Sequence, residues 1–228
     1  MPQKEVWERE YKNPKLVTKF SEPQPFIRKF AKYIRKEKSW NFQDLQVLDL
    51  GSGVGRNSNY FAHKGARVVG IEISATAVHV AKLRAHEQGL EVKYVCGNFG
   101  GELPYEDKNF QIVLDVTSSN SLTDAERKVY LQEVCRVLDT EGIFFVRGLL
   151  KDGDKNVKKL LEQYPGSEKD TYKMPKMGLE ERVFTRKDFE DLYGVFFKII
   201  KFEKNSSYSV FDGVPYKRNF FIAYLEKK

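Results

Sequence analysis

The sequence predicts an α/β fold: a mostly parallel sheet of seven strands that ends in an antiparallel C-terminal hairpin, with helices on both faces. Three observations predict it. Apolar strand-like runs alternate with helix-like segments from Gln46 to Leu150, a pattern typical of strands joined by helical crossovers. The first strand runs into a loop with glycine at Gly51, Gly53 and Gly55. The last two strand-like runs are joined by residues 205–218, which lack the helical periodicity of a parallel crossover.

The elements between residues 46 and 150 each have a local signal. The helix after the glycine loop ends near Gly65, and Ser74 or Thr76 caps the next helix, which stops at Gly89. Thr123-Asp-Ala-Glu126 is a capping box, and its helix is expected to turn four apolar residues inward: Val129, Val134, Val137 and Leu138. The five parallel strands are predicted at Val47–Leu50, Arg67–Ile73, Val92–Cys96, Phe110–Val116 and Ile143–Val146.

Both flanks differ from this pattern. A helix over Pro25–Ile34 has one apolar face and one basic face, which predicts packing on the sheet, with membrane-surface or RNA contact as the alternative. Residues 151–183 are polar, with one helix near 155–163, and Thr185 opens another helix. The hairpin strands are predicted at Phe196–Glu203 and Asn219–Leu225.

Composition limits the class of protein. With 228 residues, of which 41% are hydrophobic, the chain can bury one substantial core, so we expect a single domain. We expect no membrane span and no signal peptide, since no uncharged apolar stretch is long enough. Cys96 and Cys135 are at no metal-ligand spacing and are expected to be small core residues. These features predict a cytoplasmic protein with no membrane partner and no metal site.

The net charge of +7 is unevenly distributed. Residues 1–46 contain 11 Lys/Arg against 6 Asp/Glu, residues 47–150 contain 11 against 13, and residues 151–228 contain 17 against 13. Basic flanks around an acidic centre are compatible with an acidic substrate or RNA, and equally with an ordinary solvated surface. No run of five like charges occurs, which weakens the case for nucleic acid.

The glycine loop and one acidic residue indicate a nucleoside-containing cofactor. Glycines let backbone N–H groups approach a small molecule because no Cβ intervenes. Glu72 closes the second apolar run, at the spacing at which a second strand delivers a carboxylate to a ribose diol. A nicotinamide dinucleotide site would have glycine where Arg56 stands. Asp49 beside a pyrophosphate would be repelled, whereas it suits a cofactor that bears an ammonium and a sulfonium.

With these residues the chain resembles the class I S-adenosylmethionine-dependent methyltransferases, from about Val47 to Lys228. The matching motifs are Val47-Leu-Asp-Leu-Gly-Ser-Gly-Val-Gly-Arg-Asn57, Gly70-Ile-Glu-Ile-Ser74, Val95-Cys-Gly-Asn-Phe99, Leu103–Asp115 and Leu138–Phe145. The resemblance implies a Rossmann-like, three-layer αβα fold. It divides one methyltransferase domain into an N-terminal helical extension (1–45), a cofactor-binding half (46–150), a substrate-side insertion (151–184) and a C-terminal helix and hairpin (185–228).

The resemblance also implies roles for individual residues. Gly51, Ser52, Gly53 and Gly55 would wrap the methionine moiety, and Asp49 would orient its amino end directly or through water. Glu72 would accept both ribose hydroxyls, and Ile73 would pack on the adenine. Asn98, where the family often has Asp, and Phe99 would contact the adenine, while Asp115, Val116 and Thr117 would lie near the reactive methyl group. Asn98 as a turn residue and Asp115 as a loop or cap acid are the structural alternatives.

The acceptor side is less defined. The family places acceptor specificity in segments that correspond here to Trp7–Phe20, Ser118–Leu122 and Gly148–Gly178. The candidate substrate residues are Trp7, Tyr11, Phe20, Ser118, Asn120 and Tyr172. No catalytic residue is assigned, since proximity to an activated methyl group can supply much of the acceleration.

These features predict a methyltransferase that uses S-adenosylmethionine, releases S-adenosylhomocysteine and acts on a small-molecule acceptor. Three alternatives stay open. The first is a methyltransferase that acts on RNA or protein through its basic flanks. The second is a protein that binds the cofactor without turnover, and the third is an oxidoreductase. The sequence determines neither the acceptor nor the oligomeric state.

Overall fold

Seven strands form one twisted sheet at the centre of the protein. The computed structural model describes residues 3–14, 20–211 and 214–228. The strands occur in the order β3-β2-β1-β4-β5-β9-β8. Their bounds are β1 Gln46–Leu50, β2 Arg67–Glu72, β3 Val92–Cys96, β4 Phe110–Val116, β5 Leu138–Leu149, β8 Phe197–Phe211 and β9 Val214–Lys227. A separate pair, β6 Thr171–Lys173 and β7 Glu180–Arg182, lies in the insertion after β5.

The pairing confirms the predicted mixed sheet. β1 lies between β2 and β4 in parallel, so that Asp49 is level with Gly70 on one side and Leu114 on the other. β9 pairs antiparallel with both β5 and β8. The chain order reverses between β1 and β4, and open α/β sheets bind ligands at the carboxyl ends of the strands at such a point.

Helices cover both faces of the sheet. α2 (Pro25–Glu37) and α3 (Arg56–Ala62) pack on one face, where Phe30 and Phe61 are fully buried with Val47. α5 (Asp124–Val137) and α7 (Arg186–Tyr193) pack on the other, where Tyr130 is buried with Leu48. Neighbouring strand residues thus enter opposite cores, as the strand period of two requires. α4 (Ala75–Glu87) packs against β3, and α6 (Lys155–Gln163) belongs to the insertion.

The predicted helix caps are confirmed. Ser74 Oγ accepts the backbone N–H of Ala77 at 3.1 Å and opens α4. Thr123 and Glu126 form the predicted capping box of α5, and Thr185 forms the corresponding box of α7. The predicted helix near 155–163 is α6.

Three sequence predictions are wrong in detail. Val129 is exposed, because the inward face of α5 follows the helical spacing Tyr130, Leu131, Val134 and Val137. Leu138 is buried as predicted, but it begins β5 instead of extending the helix. Cys96 is exposed, since β3 is an edge strand and helices cover it incompletely.

The C-terminal hairpin is longer than the sequence predicts. Most of residues 205–218, predicted as a connection, continue the ladder of β8 and β9, with Asn205 level with Phe220 and Ser207 with Arg218. The polar side chains of this segment resemble those of a loop. They belong to the paired strands β8 and β9, whose ladder continues through this segment.

A first helix, α1 (Lys4–Lys12), and the small β6–β7 sheet have no specific sequence prediction. α1 contacts the beginning of α4 at the carboxyl edge of the sheet. Over the described ranges, the helices are all too short or too polar to cross a bilayer.

Candidate functional site

One large cavity of about 630 Å³ lies at the carboxyl ends of the parallel strands. This volume is in the range of small-molecule sites. The glycine loop, the ends of β2 and β4, and the loop after β3 form one side. α1, the beginning of α2, β5 and the long hairpin form the rest of the wall. The predicted site residues in its wall are Gly51, Ser52, Gly53, Glu72, Ile73, Asn98, Phe99, Val116, Thr117, Trp7, Tyr11, Phe20 and Ser118.

The glycine loop has a backbone that side chains would obstruct. Gly51 and Gly53 have φ angles of 70° and 55°, in the left-handed region that favours glycine. A Cβ on Gly51 would lie 2.3 Å from the Cβ of Ser118, which follows β4. The loop therefore approaches the end of β4 too closely for any other residue.

Gly55 has a different task from the one the resemblance implies. It lies outside the cavity wall, and a Cβ there would lie 2.3 Å from the hydroxyl of Tyr94 on β3. Gly55 precedes α3 with φ 84°. It thus permits close packing of the helix on the sheet.

Glu72 presents a buried carboxylate to the cavity. Its Oε1 accepts the backbone N–H of Ser74 at 2.8 Å, and its Oε2 accepts that of Gly53 at 3.0 Å. Each oxygen retains acceptor capacity for a further donor. Burial raises the pKa of Glu72 to about 7, although the backbone hydrogen bonds oppose the shift. The carboxylate is therefore held in place and incompletely solvated.

Asp49 does not reach the cavity wall. It is buried on β1 behind the glycine loop, and its Oδ2 accepts the hydroxyl of Ser58 at 2.6 Å. Burial raises the pKa of Asp49 to about 6. The side chain joins β1 to α3, so any effect on a bound ligand would act through the field of its charge.

Asp115 is also placed behind the cavity wall, not in it. Its Oδ1 accepts the backbone N–H groups of Ser118 and Ser119 at 3.0 and 3.2 Å, and its Oδ2 accepts the hydroxyl of Tyr130 at 2.7 Å. These contacts are those of the loop acid that was the structural alternative. Asp115 therefore shapes the turn that carries Val116 and Thr117 along the cavity.

Asn98 is a turn residue, as in its structural alternative, and it also lines the cavity. Its Oδ1 accepts the backbone N–H of Gly100 at 2.9 Å. Its Nδ2 donates to Glu126 Oε1 at 3.3 Å. The side chain is thus oriented by the turn and by α5.

Two residues that were predicted to contact the methyl acceptor, Asn120 and Tyr172, lie outside the wall of this cavity. Asn120 is buried in the turn after β4. Tyr172 is buried in a polar network in which its hydroxyl donates to Glu181 Oε2 and accepts from Arg218 Nη2 at 2.9 Å. Part of the candidate segment Trp7–Phe20, residues 15–19, lies outside the described residues.

α1 covers the cofactor side of the cavity and is held at its beginning and in its middle. Near its beginning, Gln3 Nε2 donates to the carbonyl oxygens of Ser121 and Glu180 at 2.9 and 2.6 Å. In its middle, Glu8 accepts the hydroxyls of Ser74 and Thr76 at 2.7 and 2.5 Å. These hydrogen bonds lower the pKa of Glu8 to about 2.

The same helix brings Tyr11 over the glycine loop. A Cβ on Gly53 would lie 2.6 Å from the Tyr11 hydroxyl, so the ring and the loop are in close contact. Trp7 lies 6.1 Å from Tyr11 between ring centroids. Trp7 and Tyr11, both predicted to contact the methyl acceptor, thus belong to the surface of α1 that covers the cavity.

Sequence reasoning missed three arginines in the cavity wall: Arg56, Arg147 and Arg218. Arg56 has a local signal, since it directly follows the glycine loop. Arg147 and Arg218 have none, because only the pairing of β5 with β9 and of β9 with β8 brings them to the cavity.

The residues present fit S-adenosylmethionine. Glu72 offers two carboxylate oxygens to a diol, and the glycine loop leaves room where a Cβ would obstruct. Ser52 lines the cavity with a buried hydroxyl that has no hydrogen-bond partner in the described part of the chain. Arg56, partly buried at the same loop, is suited to a carboxylate such as that of a methionine moiety.

Comparisons with known proteins agree with this geometry. The family described as "Methyltransferase domain" matches residues 47–142. The ubiquinone biosynthesis O-methyltransferase of Bartonella quintana is 29% identical over 108 residues, which are 47% of this chain and 42% of that protein. The chain thus matches less than half the length of this curated relative.

Solved structures show the same fold. A SAM-dependent methyltransferase from Methanosarcina mazei superposes with a TM-score of 0.73 at 22% identity, over 90% of this chain and 98% of that one. The 1,6-didemethyltoxoflavin-N1-methyltransferase of Burkholderia thailandensis, solved with S-adenosylhomocysteine, superposes with a TM-score of 0.68 at 17% identity, over 99% and 87%.

The matched residues include the glycine loop and the acid at the end of β2, and the sheet is built within and around them. S-adenosylmethionine is the cofactor of the matched class. Residues 47–142 therefore match the methyltransferase-domain family, and the chain around them has the fold of the solved S-adenosylmethionine-dependent methyltransferases.

Proposed function

We propose that the protein transfers a methyl group from S-adenosylmethionine to a small-molecule acceptor. One observation carries the proposal: the buried Glu72 carboxylate and the glycine loop open into the same cavity, which continues to the aromatic walls of α2 and the hairpin. The names of the relatives support it, because the Bartonella protein is a ubiquinone biosynthesis O-methyltransferase and the Burkholderia protein was solved with bound 1,6-didemethyltoxoflavin.

The residues of the chain divide the work by position. Glu72 accepts the ribose hydroxyls, Ser52 and the glycine loop contact the methionine moiety, and Arg56 binds its carboxylate. Ile73, Asn98 and Phe99 surround the adenine. When bound, S-adenosylmethionine supplies a methyl group on a positively charged sulfur, which keeps the bonding electron pair as the acceptor takes the methyl group.

The chain contributes mainly orientation and enclosure. α1 covers the cofactor side, and the hairpin extends the wall on the acceptor side. Among the described residues the cavity wall contains neither histidine nor cysteine. We propose that placing the acceptor atom next to the methyl group supplies most of the acceleration.

Thermal unfolding with ligands tests the proposal. S-adenosylhomocysteine at 100 times its Kd stabilises a protein by about 2.7 kcal/mol, which for a chain of this size raises Tm by roughly 5 to 10 °C. NAD at the same concentration should leave Tm unchanged. Glu72→Ala should remove the shift. A shift with NAD and none with S-adenosylhomocysteine would contradict the proposal.

The reaction itself is tested with methyl-labelled S-adenosylmethionine and cell extracts that are separated into metabolites, RNA and protein. Label is expected in the metabolite fraction. Label in RNA or protein alone would refute the small-molecule acceptor, whereas tight cofactor binding with no transfer to any fraction would refute turnover.

A further inference from the structure

Arg147 is a cation in the cavity wall that has no acidic partner in the described part of the chain. It lies near the end of β5, is partly buried, and has a buried Nε without a hydrogen-bond partner in the described residues. No carboxylate in the described ranges lies within ion-pair distance of its guanidinium. Burial, together with the neighbouring Arg56 and Arg218, lowers the pKa of Arg147 to about 9, so the group is still charged at neutral pH.

Several other charged groups of the wall have partners, whereas Lys29 is exposed and Arg56 adjoins the glycine loop. Arg218 Nε lies 3.5 Å from Asp154 Oδ2, and its Nη2 donates to Tyr172. Glu203 pairs with Lys201 at 2.9 Å, and Glu126 belongs to the capping box of α5. A buried charge without a partner is costly, and such groups concentrate at functional sites. Arg147 therefore differs from Arg218, Glu203 and Glu126, because its charge has no ion-pair partner in the described residues.

The guanidinium is held in a fixed orientation. Its Cζ lies 3.5 Å from the ring centroid of Phe220 and 4.8 Å from that of Phe26. Its Nη1 donates to Thr117 Oγ1 at 2.6 Å. A planar fork between aromatic rings, with unpaired N–H groups, is suited to bidentate binding of a carboxylate.

Thr117 adopts an unusual backbone conformation to make this contact. Its φ is 64°, in the left-handed region that β-branched residues rarely occupy, and its N–H donates to the carbonyl oxygen of Arg147 at 2.7 Å. Such a conformation is energetically unfavourable and occurs preferentially at functional sites. Thr117 thus acts as a positioning residue for Arg147.

Arg147 lies on the acceptor side of the cavity. In the sheet order β1-β4-β5, it is two strands away from the strand that carries the glycine loop, a separation of about 10 Å. Arg56, in contrast, directly follows the loop. The two cations can therefore serve two different anions.

We propose that Arg147 binds a carboxylate of the methyl acceptor, and that the acceptor is an acid with a flat apolar body. This inference rests on the proposed function. Phe26 and Phe220 flank the guanidinium and offer apolar surface to the body of the acceptor. The ion pair orients the acceptor, and a different atom of it receives the methyl group.

Calorimetric titration of the full-length protein, saturated with S-adenosylhomocysteine, tests the inference. The probes are 2-naphthoate and 2-naphthamide, which share a ring system and differ in charge. We expect naphthoate to bind at least tenfold more tightly to the wild type. Arg147→Gln should abolish this preference, and Arg147→Lys should reduce it, because an ammonium cannot form the fork. Lys29→Gln, which removes an exposed cation from the same cavity, is the matched control and should retain the preference.

Three outcomes would overturn the inference: equal binding of both probes to the wild type, retention of the preference by Arg147→Gln, or a more than fivefold loss of S-adenosylhomocysteine affinity in Arg147→Gln. This last outcome would show that Arg147 binds the cofactor and not the methyl acceptor. Absence of S-adenosylhomocysteine binding by the wild type would instead contradict the proposed function, and the two probes could still be compared in the unliganded protein. If Arg147→Gln does not fold, Arg147→Lys and the wild type decide.

Discussion

The chemistry of the site depends on a few residues whose surroundings differ from those of an exposed side chain. Glu72 is the clearest example, because its carboxylate is buried, faces the cavity and holds two backbone N–H groups. Hydroxyl donors from a ribose would favour the charged form and lower the pKa from its unliganded value of about 7.

Cofactor affinity should therefore depend on pH through Glu72. Below pH 7 the unliganded protein must lose a proton to bind, so the Kd for S-adenosylhomocysteine should fall roughly tenfold between pH 6 and pH 8. Calorimetry at the two pH values measures this. Glu72→Gln should bind more weakly and lose the pH dependence, whereas Glu91→Gln, at an exposed position, should behave like the wild type.

Gly51 allows a second prediction at the same scale. Alanine at Gly51 would meet Ser118 and also strain the backbone at φ 70°. Gly89 has a similar φ of 65° with nothing within 4 Å of a Cβ, so Gly89→Ala isolates the strain, about 1 kcal/mol. Both variants should lose that stability in urea unfolding, but only Gly51→Ala should lose further stability and S-adenosylhomocysteine binding. Equal behaviour of the two variants would show that the contact with Ser118 is unimportant.

At the scale of elements, α1 connects two parts of the site that are distant in sequence. Gln3 fixes its beginning to β7 and to the turn after β4, and Glu8 fixes its middle to the first turn of α4. A carboxylate at a helix N-terminus is also favoured by the helix dipole. A small number of hydrogen bonds therefore hold this helix over the glycine loop.

Loss of the Glu8 contacts should release α1. Glu8→Ala should accelerate tryptic cleavage after Arg9 and Lys12 several-fold and speed the dissociation of S-adenosylhomocysteine. Glu5→Ala removes the same charge from an exposed position of the helix and should have neither effect. Because the pKa of Glu8 is lowered, its contribution is complete above about pH 4.5 and is lost only as the pH falls towards 2. Wild-type cleavage rates, corrected for trypsin activity, should thus be constant between pH 6 and 8.

At the scale of the whole molecule, three buried carboxylates meet at the carboxyl edge of the sheet. Burial raises the pKa of Asp49 to about 6, of Glu72 to about 7, and also that of Asp115. The folded protein therefore retains protons that the unfolded chain has already released. Folding stability is reduced at neutral pH by the cost of keeping these groups charged in the site.

The unliganded protein should become less stable as the pH rises from 5 to 8. The reason is that the raised pKa values make the folded state bind more protons than the unfolded state in this interval, so the free energy of unfolding falls with pH. Urea unfolding at pH 5, 6, 7 and 8 measures the trend. Glu72→Gln should flatten it, and saturating S-adenosylhomocysteine should do the same. A midpoint that rises over this interval would contradict the assignment.

The alternation of strands and helices from β1 to β5, the caps at Ser74, Thr123 and Thr185, and the loop that holds the cofactor in this family follow from the sequence alone. These features depend on neighbours within a few positions, such as glycine spacing, capping residues and strand periodicity. The division of the chain into four functional segments stays a prediction.

Which residues line the acceptor side of the cavity depends on the tertiary structure. The sequence left open whether Asp49 acts directly or through water and whether Asp115 is a ligand neighbour or a loop acid; packing places Ser58 and Tyr130 against them, and neither acid lines the cavity. Arg147 gives no sequence signal, because its aromatic neighbours Phe26 and Phe220 are both more than 70 residues away from it in the sequence. Local spacing thus determined the fold and the cofactor loop, whereas contacts between distant strands and helices decided which charges face the ligand.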